Sequence, residues 1–253
     1  MNAFAAEWIK VRTLRSTPWT LALTVLVAAG IAFLVGMSFR HADPATSRFD
    51  AMFATFYGLS LAQLALVVFA VLAVGGEYGT GTIRPSLAAV PRRGTFYLGK
   101  VGTVGLCAAA VSALSVAAAF VAGQAGLGPL HTTLTAAGVP QTVAGAFLYL
   151  VLIALFATGV AQVLRSSTLS LGVLLPLFFL GSQGLGNIPG VRRVTQFLPD
   201  QAGAVILHFF GPPDNPEYDR AFGPWTGMGI LALWAAAALA AGYISLRRRD
   251  AVS

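Results

Sequence analysis

Long, unbroken apolar runs, with nearly every charge confined to the segments between them, constrain this chain more than any other feature. The runs cover about Trp19–Phe39, Met52–Val74, Leu98–Ala122, Thr142–Leu164, Thr168–Leu185 and Trp225–Leu246. A bilayer core about 30 Å thick is crossed by a helix of roughly 20 such residues. Lipid offers the backbone no hydrogen bonds, so a spanning segment must satisfy its own amides, as a helix or within a closed barrel. Barrel strands alternate in polarity over short segments, and these runs are continuous. The expectation is an all-α membrane protein, a single domain over residues 1–253 with six transmembrane helices. The fifth run is the weakest: it is short, contains Pro176 and ends among Gly181, Gly184 and Gly186.

Composition and charge placement extend this reading. Only 10% of the 253 residues are charged, against roughly 25% in a soluble domain. A net charge of +7 would suit nucleic acid, but that needs Lys and Arg clustered on one exposed face. Here the basic residues flank the apolar runs. With both termini in the cytoplasm, the inner segments hold Lys10, Arg12, Arg15, Arg84, Arg92, Arg93, Lys100, Arg165 and Arg247–Arg249, eleven of the sixteen. The outer segments hold Arg40, Arg48, Arg192, Arg193 and Arg220. This bias obeys the positive-inside rule and points to a bacterial inner membrane. A five-helix arrangement would put Arg165 and Arg247–Arg249 on opposite sides. The first run lacks an A-x-A exit and is long enough to span, so it is taken as a helix rather than a cleaved signal.

Three segments outside the runs carry information. Residues 1–17 place Phe4, Trp8 and Val11 at helical spacing with Glu7 and Lys10 opposite, the pattern of an interfacial helix. The inner loop 75–100 holds Pro85, suited to the first turn of a helix, and Pro91, which should end it. A short helix there is the natural contact for a cytosolic partner. The outer segment 186–224 contains the apolar stretch Ala202–Phe210, too short to span, and an acidic turn over residues 211–219. A short re-entrant or surface helix capping the outer face is expected.

Chemistry within the chain is not expected. Gly94-Thr-Phe-Tyr-Leu-Gly99-Lys100-Val101 approaches a phosphate-binding loop, but Val101 replaces the magnesium-holding hydroxyl and no strand precedes it. Lys100 is better explained as an anchor at the membrane interface. His41, His131 and His208 lie in separate outer segments, without the convergent ligands a zinc site needs. Cys107 has no partner for a disulfide, and no nucleophile elbow occurs. Catalytic, cofactor-binding and metal residues are therefore expected to be none. The spans contain essentially none of the charged residues that mark ion pathways, which disfavours an ion-coupled carrier. Gln63 and Gln162 are their most polar side chains, expected to bond between helices.

The sequence Glu77-Tyr-Gly-Thr-Gly-Thr-Ile-Arg84, followed by Pro91-Arg-Arg93 and Lys100, resembles the E-Y-x-x-G-T-I-R pattern and basic turn of type-2 ATP-binding-cassette (ABC) exporter permeases. The likeness in feature order covers nearly the whole chain. It implies a type-2 ABC exporter-like fold whose 75–100 loop carries a coupling helix docked in a separate cytosolic ATPase. Glu77, Tyr78, Thr82, Ile83, Arg84 and Leu87 become candidates for that contact. ATP and magnesium would sit on the ATPase. A second permease subunit, identical or not, would complete a central path lined mainly by helices one, two and five, with 186–224 as an outer lid. The cargo expected is hydrophobic or amphipathic. The alternative is a non-transporting scaffold or sensor that recruits a partner through the same loop.

Overall fold

The computed structural model describes residues 3–14, 16–42, 50–90, 92–182, 190–208 and 220–248. Expectations that concern Arg15, Arg48, Pro91, residues 183–189, the acidic turn 211–219 and Arg249 lie outside them. The described residues are predominantly helical and include no strand. The helices are α1 (Ala3–Thr13), α2 (Ser16–Phe39), α3 (Ala51–Phe56), α4 (Leu59–Gly79), α5 (Ile83–Ala89) and α6 (Arg93–Leu127). There follow α7 (Val139–Leu164), α8 (Ser167–Ser182), α9 (Arg192–Thr195), α10 (Pro199–Ala204) and α11 (Pro224–Arg248).

Five helical segments are long and apolar enough to cross a membrane: α2, α3–α4 taken together, α6, α7 and α11. The fifth expected span is the apolar helix α8, whose 16 residues fall short of that length. At about 1.5 Å per residue, α6 is about 52 Å long and overshoots its expected span at both ends. Its added first turns belong to the site described below. α4 is the central helix and is buried along most of its length, whereas α2 and α11 turn much of their apolar surface outward.

Lipid is as apolar as leucine, so helices associate through close packing and a few polar contacts. Both devices are present. A Cβ on Gly36 of α2 would lie 2.7 Å from the carbonyl oxygen of Gly123 of α6, and one on Gly126 would lie 2.5 Å from that of Phe33. The two backbones therefore touch, and no larger residue fits at those positions. α4 and α7, antiparallel, are joined twice. Tyr149 donates a 2.6 Å hydrogen bond to Gln63 near one end, and Gln162 donates to the Tyr78 hydroxyl near the other. Each glutamine thus bonds a tyrosine of the facing helix.

The chain topology gathers α1, the end of α4, α5, the start of α6, the α7–α8 turn and the end of α11 at one end of the bundle. That end carries most of the basic residues and is termed the basic end. At the opposite end, Asp50 caps α3, accepting hydrogen bonds from the amides of Met52 and Phe53, and its other oxygen meets His208 at 2.6 Å. Of the two forms expected for this segment, re-entrant or surface helix, α10 and the following 3-10 turn take the inserted one. They insert against α7, α8 and α11, and every residue of α10 is buried.

Insertion of α10 has a cost. Asp200 is 2% exposed and rests against Gly181 of α8, and Gln201 donates to one of its oxygens at 2.9 Å. The other oxygen has no hydrogen-bond partner among the described residues. Burial pushes its carboxyl up to about 6, against the opposing bond from Gln201. The folded chain thus holds this proton more tightly than the unfolded chain, so stability falls as pH rises from about 4 to about 6. At about 1.4 kcal/mol per unit, the charged side chain costs about 3 kcal/mol at neutral pH. Asp200→Asn keeps the shape and removes the charge. It should raise the thermal unfolding temperature at neutral pH and flatten the pH dependence over that window; an unchanged temperature would show that the carboxylate costs nothing.

Candidate functional site

At the basic end, four charged side chains from three helices meet in one knot. On α1, Glu7 and Lys10 are three residues apart and pair at 2.6 Å. Lys10 also reaches Glu77 of α4 at 2.9 Å and the Ser86 hydroxyl of α5 at 3.0 Å. Lys100 of α6 bridges the same two carboxylates, at 2.8 Å to Glu7 and 2.9 Å to Glu77. The Phe96 ring lies beneath both ammonium groups, its centroid 5.6 Å from that of Lys10 and 5.1 Å from that of Lys100, a cation–π arrangement.

Burial makes this arrangement obligatory. Glu7, Glu77 and Lys100 are 4%, 9% and 2% exposed. A buried charge is tolerated only when paired and hydrogen-bonded, and the two carboxylates and two ammonium groups balance. Glu77 lies in the last turn of α4, where the helix dipole disfavours a negative charge. Both lysines converge on one of its oxygens and offset that. Lys10 responds in turn: burial lowers its pKa, but the bonds and charges of Glu7 and Glu77 outweigh burial and raise it above the usual lysine value. Its contribution to stability is therefore present at neutral pH, where its carboxylate partners are charged, and is lost as pH rises through the raised value.

The same end fixes α5. Gly81, at φ +71°, lets the chain reverse after α4. Pro85 is the third residue of α5, where a helix has no use for its missing N–H. Ile83 is buried in a small cluster with Phe96, Tyr97 and Leu246, flanked by Tyr78, Leu87 and Val90. Ser86, which accepts from Lys10, donates to the Thr82 carbonyl at 2.8 Å. Behind it, the Arg165 guanidinium stands over the Tyr78 ring at 5.6 Å and donates to the Ser245 carbonyl at 2.8 Å. The α7–α8 turn and α11 are thereby tied to the end of α4.

The six residues singled out from sequence divide by exposure. Glu77 and Ile83 face inward, Tyr78 and Leu87 are half-buried, and Thr82 and Arg84 are exposed. Sequence reasoning did not single out Glu7, Lys10, Ser86 and Phe96 here, and it treated Lys100 as an interface anchor, whereas that side chain is drawn into the protein. A faint signal existed: lone charges of both signs stand at the margins of apolar runs, where an unpaired charge would be costly.

A second feature lies within the bundle. An apolar groove of about 650 Å³ runs between α2, α4 and α8. Its walls include Leu23 and Val27 of α2, Leu61 and Val68 of α4, and Pro176 and Phe179 of α8. The lining carries no charged side chain.

The knot makes a sharp mutational prediction. Lys100→Met leaves two buried carboxylates with one ammonium group, and breaking such a pair costs about 3–5 kcal/mol. A lowered unfolding temperature and faster proteolytic release of α1 are expected. Adding Glu77→Gln should recover part of the loss, because the remaining charges balance again. Equal stability of Lys100→Met and the parent would refute the knot.

The family model described as ABC-2 family transporter protein matches residues 3–181, which span the charged knot, α5 and all three helices of the groove. No curated protein matches the chain. Because the family match takes in well over half of the chain, this protein belongs to the ABC-2 family of transporter proteins, as a membrane-embedded transport permease.

Proposed function

We propose that this permease exports a hydrophobic or amphipathic cargo, driven by ATP that a separate ATPase subunit binds with magnesium and hydrolyses. The observation that carries the reading is the way α5 is held. Its inner face is fixed to α4, α6 and α11 through Ile83 and to the charged knot through Ser86, while Thr82, Arg84, Pro85, Ala88 and Ala89 are exposed. A short helix anchored on one side and open on the other suits a docking partner. Displacement of α5 reaches α4 and α6 directly, because buried ion pairs do not slip without a large cost. In this reading Thr82 and Arg84 meet the ATPase, with Tyr78 and Leu87 at the margin. Glu77 and Ile83 act from within, holding α5 to the spans it moves.

The remaining features fit the same scheme. Two copies, or this chain and a related one, would face their α2–α4–α8 grooves across a shared path, and the uncharged lining favours an apolar cargo. The basic end lies in the cytoplasm of a bacterial cell, with both termini there, in keeping with the positive-inside rule. α1 rests on the adjoining leaflet with Phe4 and Ile9, both exposed, toward lipid. The segment holding α10 closes the far end as a lid.

Co-purification from mild detergent tests the proposal. Arg84→Glu reverses the charge at an exposed position and should abolish capture of a stoichiometric nucleotide-hydrolysing partner while the variant still purifies as a folded chain. A parent chain that purifies without an ATPase in every detergent and nanodisc would overturn this reading and favour a scaffold or sensor.

A further inference from the structure

At the basic end the described carboxylates are Glu7 and Glu77, and Lys10 and Lys100 consume both. Among the described residues, no carboxylate remains to balance Arg92, Arg247 and Arg248. These three are brought to one corner by contacts between the first turns of α6 and the last turns of α11. Arg93 donates to the carbonyls of Leu246 at 2.7 Å and Arg247 at 3.0 Å, which satisfies two orphan acceptors at the end of α11. The Tyr97 hydroxyl donates to the Leu239 carbonyl at 2.8 Å, and the Tyr97 and Tyr243 rings lie 5.7 Å apart. The Arg247 guanidinium stands 5.7 Å from the Tyr243 ring. Arg92, one residue before α6, and Arg247 and Arg248 at the end of α11 are all exposed.

The same helices change character within two turns. Leu98 on α6 is 71% exposed and Ile244 on α11 is 48% exposed. The tyrosine pair seals the seam beneath the arginines, with Tyr97 buried and Tyr243 half-buried, and exposed apolar surface at Leu98 and Ile244 begins within two turns of the guanidinium groups. That sequence of chemistries fits one molecule: a phosphate at the arginines and an acyl chain along the helices. An acidic protein groove would use the charge but leave the apolar continuation unused.

We propose that the α6–α11 corner binds the headgroup of an anionic phospholipid. Guanidinium groups grip phosphate oxygens in pairs, which an ammonium group does not, and a basic residue near an anionic leaflet contributes about fivefold in affinity. The inference is independent of any ATPase or cargo.

The test uses the full chain in neutral detergent, with phosphatidylglycerol and phosphatidylcholine titrated and bound lipid counted by native mass spectrometry. The parent is expected to retain phosphatidylglycerol preferentially. Arg92→Ala/Arg247→Ala/Arg248→Ala should weaken it on the order of 100-fold and leave phosphatidylcholine unchanged. Arg92→Gln and Arg248→Gln, each mild enough to preserve the fold, should each weaken it about fivefold. The proposal is overturned if the parent shows no preference for the anionic lipid, or if the variants retain it undiminished. It is equally overturned if the triple variant keeps the lipid and loses a protein partner, which would make the corner a protein-docking surface.

Discussion

The requirement that buried charges balance organises the basic end of this permease. Glu7, Lys10, Glu77 and Lys100 come from three helices; Lys10 is partly exposed, and none of the three buried charges is tolerable there alone. Their mutual neutrality lets the end of α4, the start of α6 and the amphipathic α1 share one dry junction. Ser86 attaches α5 to that junction without adding a charge. The contacts around Ile83 then need only be apolar, because the knot fixes direction. Removing any one charge would leave the other three mismatched, so the junction behaves as a unit rather than as four bonds.

Elsewhere the bundle depends on contacts suited to an apolar solvent. Gly36 and Gly126 bring α2 and α6 into backbone contact, where dispersion is strongest. The two glutamine–tyrosine rungs fix the register of α7 on α4 from both ends. Such interhelical hydrogen bonds contribute about 0.6 kcal/mol each on average in lipid, so their value lies in direction more than in strength.

Much of this was legible in the sequence. Lipid permits so few backbone solutions that continuous apolar runs at Trp19–Phe39 and Thr142–Leu164 translate directly into helices. Pro85 marked the first turn of α5, and Gln63 and Gln162 stood out because little else in the spans is polar. The knot was not legible. Helical spacing put Glu7 and Lys10 on the polar side of α1, and polarity alone suggests water. Their partners are 67 and 93 residues away, and nothing local announces them. Asp200 was hidden for a related reason. The apolar stretch beginning at Ala202 was visible, but burial of the acid beside it depends on Gly181 leaving room on α8. The shortness of α8 was foreshadowed by Pro176 and the glycines after it.

The distance between Glu7 and Lys100 also bears on biosynthesis. A growing chain delivers α1 before the other helices of the knot, with one carboxylate and one ammonium group three residues apart. Glu77 arrives about seventy residues later, and Lys100 only after α2, α4 and α5 have been made. Until then α1 has no dry site to enter and remains outside the assembling bundle. Docking of α1 into the knot therefore requires that the end of α4 and the start of α6 already stand side by side.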